Sequence, residues 1–371
     1  MNKERELILT AGPSITDKEI SYVTDAVTSG WNNNWNMYLD KFENSFAKFI
    51  DTKHAMTTSS CTGALHLGLL ALGVGEGDEV IVPEITWVAT ASSVKYTGAE
   101  PVFCDIDPVS WCMDVASLEK SITKKTKAIF PVHLYGHPAN MPEIMEIARK
   151  YNLHVIEDAA PSIGAEIAGK KTGSFGDISG FSFQGAKILV TGEGGMLVTN
   201  RDDLFDKVKS LGDHGRDPNR PLAAVEVGYK YKMSNLQAAL GLAQLERVDE
   251  LVDRKREINK LYQGFLINNK KINVSKELEG CKSIFWMTSI EIKDGDSGLR
   301  DNFMKALKDK KIDSRPVFSP MSSLPMFQKR SENPVSYKIG STSINLPSGH
   351  NLKDEEIEYV SSVINELTNS F

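Results

Sequence analysis

The chain has 371 residues, 41% hydrophobic and 25% charged, with a formal net charge of −6. That composition is globular, one large or two ordinary domains, with enough chain to bury a core without disulfide or metal staples. It excludes the basic footprint of a nucleic-acid binder; no apolar run approaches a membrane span, and the seven scattered histidines show no metal spacing such as HExxH.

The opening "MNKERELILT" is charged and lacks the apolar core of a signal peptide. Cys61, Cys104, Cys112 and Cys281 form no CxxC pair, so the expected setting is a reducing cytoplasm with thiols used for packing. Residues 29–38, "SGWNNNWNMY", are densely polar and aromatic. Trp31 and Trp35 would share a face if helical, but three consecutive asparagines disfavour a helix and predict a loop. Its tryptophans either pack inward as anchors or stand out to stack on a base or sugar.

From about residue 54 to 200, short β-rich runs alternate with helical patterns. Strands are predicted at 78–83, 100–107, 126–134 and 153–160, and helices at 62–72, 86–97 and 141–151. Runs apolar on both faces, alternating with helices, predict a mainly parallel sheet covered on both sides. A single long helical pattern follows at about 235–265. After it, 283–292, a helix near 298–310 and 312–318 make a smaller α+β unit. The expected division is residues 1–250, a large domain with an N-terminal loop for substrate, and 251–371, a small C-terminal one.

Four features on the sheet half belong together. "SSCTGALHLGLLALG" (59–73) places small hydroxyl residues, with Thr62 and Gly63, at a helix start, which is either a plain N-cap or an anion site. Asp158 ends the apolar run "LHVIED", where open α/β sheets place ligands, although it could equally cap the next segment; Glu157 beside it points to the other face. Trp87 lies just past another strand end and either covers a flat heterocycle or packs in the core. In "GFSFQGAKILVTGEGGMLVTN" (180–200), Ser182 and Lys187 bracket a tight turn followed by closely spaced glycines. A loop lysine is usually solvated; one held in a cleft with a depressed pKa is suited to forming a Schiff base. A lysine, a carboxylate at a strand end, a helix N-terminus and an aromatic cover are together what pyridoxal phosphate (PLP) requires.

The stretches "GALHLGLLALGVGEGDEVIVPEITWVATASSVKYTGAEPVFCDID", "TKAIFPVHLYGHPANM", "VIEDAAPSIGA", "FSFQGAKILVTGEGGMLVTN" and "GYKYKMSNLQAALGLAQLERVDE" resemble the DegT/DnrJ/EryC1/StrS sugar aminotransferases, of PLP fold type I, over nearly the whole chain. The resemblance implies a mainly parallel central sheet flanked by helices plus a small C-terminal α+β domain. It implies PLP as cofactor, bonded to Lys187, with Asp158 at the pyridinium nitrogen, Trp87 over the ring, and Thr62, Gly63 and Ser182 at the phosphate. It further implies a homodimer with shared active sites, in which Asn235 reaches the partner's phosphate. A nucleotide-linked keto sugar would be the acceptor and L-glutamate the donor. "HGRDPNR", "SIFWM" and "SRPVFSPM" are most similar to GDP-perosamine synthases, which aminate C4 of a GDP-4-keto-6-deoxyhexose; Trp31, Trp35 and Arg315 are the expected substrate contacts. The chain departs from that pattern at Gln184 and Ala186 (commonly "FFGNK"), at Ser322 (commonly histidine), at Ser60-Cys61-Thr62 (commonly Asn-Gly-Thr) and in 29–43. Lys187 argues against the family's sugar dehydratases, which carry histidine there, and the intact residue set argues against a non-catalytic regulator.

Overall fold

The computed structural model describes residues 5–217, 219–220 and 222–369. Helices α1 (Asp17–Ser29) and α2 (Met37–Ile50) lead into β1 (His54–Thr58). Next come α3 (Cys61–Ala71), β2 (Glu79–Pro83), α4 (Val88–Tyr96), β3 (Glu100–Cys104), α5 (Val115–Lys120), β4 (Thr126–Ile129), α6 (Met141–Tyr151) and β5 (His154–Asp158). The short β6 (Glu166–Ile167) and β7 (Lys170–Lys171) precede β8 (Ile178–Ser182), β9 (Gly195–Thr199) and α7 (Asp202–Gly212).

Seven strands form one sheet in the order β1-β9-β8-β5-β4-β2-β3. Only β9 opposes its neighbours; the other pairings are parallel. Every residue of β2, β8 and β9 is buried, which is why these strands read as apolar runs rather than alternating ones. Adjacent residues feed opposite layers. Ile81, Ile129 and Val155 pack with α2, α6 and α8 (Asn235–Leu245), while Val80, Val82 and Ile156 pack with α3, α4 and α7. The predicted strand 126–134 is regular only to Ile129, because Pro131 has no N–H to give to the ladder, although its carbonyl still accepts from Asp158 N at 2.9 Å.

The single helix predicted over 235–265 is two, α8 and α9 (Val248–Phe265). The break falls at Glu246–Arg247, where the backbone turns so that Arg247 reaches Glu19 and Glu250, each at 2.7 Å. The remaining elements are β10 (Ile272–Val274), β11 (Cys281–Lys282), β12 (Ser289–Ile292), α10 (Ser297–Asp309), β13 (Arg315–Pro316), α11 (Pro334–Thr342), β14 (Ser343–Asn345) and α12 (Asp354–Thr368). Strands β10-β12-β14-β13 make an antiparallel sheet over a third core of Ile258, Tyr262, Ile290, Phe303 and Val360. Helix α9 joins the cores, since its Leu251 and Val252 belong to the large one. The chain's start also reaches this end: Ile8 bridges Ile312, and the Thr10 hydroxyl donates to Asp313 at 2.8 Å. No described helix is long and apolar enough to cross a membrane.

Candidate active site

The loop between β8 and β9 is closed by its own backbone. Phe183 N donates to Gly194 O at 3.0 Å, Gly185 N to Gly192 O at 2.9 Å, and Lys187 N closes the tight turn onto Gln184 O at 2.8 Å. Two glycines make this closure possible. Gly194 has φ 153°, and a Cβ there would lie 2.4 Å from the Thr191 hydroxyl. A Cβ on Gly195 would lie 2.5 Å from Cys61 N, because β9 passes directly behind the start of α3. The glycines therefore press the lysine loop against a helix N-terminus.

At the carboxyl ends of the parallel strands lies a cavity of ≈ 470 Å³ lined by Thr62, Trp87, Asp158, Ser182, Lys187 and Arg315, among others. Asp158 ends β5 and is only 5% exposed. Its oxygens accept from the Thr90 hydroxyl at 2.6 Å and from Ala160 N at 3.1 Å. Burial raises its pKa, against the opposing pull of these donors and of the Lys187 and His133 charges. Glu157 does face away, as predicted. It takes His133 at 3.0 Å and the N–H groups of Gly173, Phe175 and Gly176, each at 2.8 Å. These donors overcome burial and hold its pKa below the usual carboxylate range. One carboxylate is thus held by an imidazole and several N–H donors, whereas its neighbour makes no ion pair among the described residues.

Lys187 keeps some exposure toward the cavity, yet protein crowds its amine as in an interior. This desolvation lowers its pKa to about 8, although Asp158 and Cys61 pull upward. Its Nζ lies 3.6 Å from the Trp286 ring centroid. At the other side, α3 starts at the cavity wall, with Ser60 occupied as its N-cap, accepting from Gly63 N at 3.1 Å. Thr62 and Ser182 line the cavity there, so hydroxyls join a helix N-terminus with unpaired N–H groups.

Of the residues singled out from the sequence, Thr62, Trp87, Asp158, Ser182, Lys187 and Arg315 converge on this cavity. Trp87 is 60% exposed and only tilts against Phe318, 5.6 Å away, which overturns the core-packing alternative. Gly63 does not line the cavity; its missing Cβ makes room for the Tyr231 ring, 3.2 Å from where that atom would be. Trp31, Trp35 and Asn235 also lie outside it. Trp31 and Trp35 flank a 3-10 turn at Asn32–Asn34 and are 57% and 53% exposed, so inward packing is corrected: the Trp31 N–H anchors to Val27 O at 2.8 Å and the rings face out. Asn235 accepts from Tyr38 N at 2.9 Å and donates to Gly30 O at 3.4 Å, closing this loop at both ends. Sequence reasoning missed Tyr135, Trp286, Phe318 and Asn345 as wall residues. The only available signals were the aromatics in "HLYG", "SIFWM" and "RPVF", and none marked Asn345.

The donor set fits PLP: a buried carboxylate without an ion-pair partner among the described residues for a pyridinium, an amine of depressed pKa for an aldehyde, and a helix start with free N–H groups for a phosphate. Comparison with known proteins agrees. A profile of the DegT/DnrJ/EryC1/StrS aminotransferase family matches residues 13–365. A GDP-perosamine synthase of Escherichia coli O157:H7 is 44% identical over 96% of this chain and 97% of its own. That of Caulobacter vibrioides is 42% identical, covering 97% and 98% respectively. Among solved structures, the putative sugar aminotransferase Spr1654 of Streptococcus pneumoniae superposes with a TM-score of 0.92 at 27% identity, in both PMP and PLP forms, covering 98% of this chain and 98–99% of its own. The chain therefore belongs to the DegT/DnrJ/EryC1/StrS aminotransferase family and is a PLP-dependent enzyme of the transaminase class.

Proposed function

We propose that the enzyme moves an amino group from L-glutamate to C4 of a GDP-linked 4-keto-6-deoxyhexose, as GDP-perosamine synthases do. The placing of Lys187 and the buried Asp158 in one cavity, with no ion pair between them among the described residues, carries the chemistry. The 39–44% identity to three GDP-perosamine synthases supports the choice of sugar. PLP, when bound, would supply an electron sink that makes the proton on the amino-bearing carbon removable. Lys187 holds and returns that proton at Nζ, for which a pKa of about 8 is well placed. Asp158 would hold the ring nitrogen protonated, Thr62, Ser182 and the start of α3 would hold the phosphate, and Trp87 would cover one face and exclude water. Arg315 offers the cavity a cation for an acidic substrate group.

The working unit of this proposal is a cytoplasmic homodimer with shared sites. The support is that Trp31, Trp35 and Asn235 lie outside their own chain's cavity and that Leu222, Val225 and Val227 are exposed. The test is to supply L-glutamate with GDP-, UDP- and dTDP-linked 4-keto-6-deoxyhexoses and measure 2-oxoglutarate and amino sugar. A higher kcat/KM for the GDP substrate is expected; preference for another nucleotide would defeat the substrate assignment but not the transaminase chemistry.

A further inference from the structure

In the proposed chemistry Lys187 would alternate between bonding the cofactor and standing free. The free amine needs a resting place that is neither water nor Asp158, because pairing with Asp158 would neutralise the carboxylate needed at the ring nitrogen. In this structure Nζ rests on the face of Trp286, 3.6 Å from the centroid, and no ion pair joins it to Asp158 among the described residues. We propose that Trp286 is a positioning residue for Lys187: its indole face docks the free ammonium, and its N–H fixes the peptide from which the lysine side chain departs.

The second contact is a hydrogen bond. Trp286 Nε1 donates to Ala186 O at 2.7 Å. The N–H of the same residue is taken by Gln184 Oε1 at 2.9 Å. Both polar groups of Ala186 are thus held by side chains, which fixes the peptide adjoining Lys187. Trp286 is itself fixed: it is buried, stacks on Tyr135 with centroids 5.9 Å apart and planes 26° apart, and its carbonyl accepts from the buried Lys255 Nζ at 3.2 Å. An aromatic face attracts a desolvated ammonium more strongly than an exposed one. The attraction offsets part of the burial that otherwise favours the neutral amine, so Lys187 keeps its proton to a higher pH than burial alone would allow.

This inference rests on Lys187 being the reactive amine, but not on which sugar is aminated. The experiment titrates Lys187 in cofactor-free protein, by its rate of acetylation with acetic anhydride against pH, read by peptide mass spectrometry. Trp286→Leu should lower the midpoint by about one pH unit. Site-specific replacement of Trp286 by tetrafluorotryptophan, which keeps shape and N–H but removes the negative face, should shift it in the same direction and serves if the leucine variant does not fold. Trp286→Phe should leave the midpoint near wild type and lower kcat about fivefold, the loss of one hydrogen bond, with little change in KM. An unchanged midpoint in the fluorinated protein, or wild-type kcat in Trp286→Phe, would overturn the proposal. Failure to aminate a GDP-sugar would leave the titration result standing.

Discussion

Replacing Asp158 by asparagine separates a counter-ion from a cap. The side chain is buried and accepts two hydrogen bonds, from Thr90 and Ala160. Asparagine retains one acceptor oxygen for Ala160 N. Its new N–H₂ faces the Thr90 hydroxyl, which can reverse its proton toward Thr86, 2.9 Å away. The local hydrogen bonds therefore survive, and the cofactor-free fold loses little. It gains something at neutral pH. The folded-state pKa of Asp158 lies above the ordinary 3.8, because burial opposes ionisation. A carboxyl shifted in that direction costs stability as pH rises from the unfolded value through the folded one, and the full cost persists above it. Asparagine carries no such cost, so cofactor-free Asp158→Asn should melt at or above wild type at neutral pH, with the advantage vanishing in acid. Catalysis should move the other way. A preorganised charge opposite the ring nitrogen is worth about 3 kcal/mol, so kcat should fall about 100-fold or more. The assays are thermal unfolding of cofactor-free protein across pH and turnover with saturating L-glutamate. Activity within about threefold of wild type would reduce Asp158 to a cap; a melting temperature that falls in step with activity would make the loss structural.

Lys187→Ala should fold, lack the visible absorbance of lysine-bound cofactor and show no turnover; wild-type rates would remove Lys187 from the mechanism. Because its neutral form is the nucleophile and its pKa is about 8, the rate at which cofactor-free protein captures PLP should rise with pH through that value and then level off. A rate flat across it, in stopped-flow absorbance, would show the amine to be titrating elsewhere. Asn235→Asp keeps the acceptor for Tyr38 N while placing a negative charge where the shared-site proposal has the partner's phosphate. It should weaken PLP retention, and mixing it with Lys187→Ala chains should restore partial activity; full activity of a monomer would exclude sharing. Trp31→Ala or Trp35→Ala should raise the KM of the nucleotide sugar about tenfold, from a stacking worth of about 1–3 kcal/mol, with the melting temperature and glutamate half-reaction unchanged. Equal loss in both half-reactions would make the loop structural.

The central sheet was legible because it is buried on both faces. Strands such as "EVIVP" cannot alternate when Val80 and Val82 feed one layer and Ile81 the other. The long helix misled for a physical reason: apolar spacing continues through residues 245–252, and nothing local announces that Arg247 will be drawn to Glu19, far away in sequence. A periodicity describes a face, whereas a break set by a distant partner is written in neither segment alone.

The site divides along the same line. Asp158 and Lys187 were found because a carboxylate ending an apolar strand and a lysine among loop glycines each violate the local pattern. Tyr135, Trp286, Phe318 and Asn345 violate nothing; they become wall residues only when the small sheet folds against the large one. Asn235 falls between these cases. Its place at the start of α8 reads as capping, and Ser234 indeed makes the capping box with Gln237. With the cap already supplied, both ends of the Asn235 amide are free to close a distant loop, at Gly30 and Tyr38. The two outward tryptophans are held on that closed loop, so a change at Asn235 acts on Trp31 and Trp35 as well as on any phosphate it meets. Aspartate keeps the Tyr38 contact and loses only the N–H given to Gly30, whereas alanine releases both ends of the loop, so the comparison of the two variants separates loop closure from the charge placed at the phosphate.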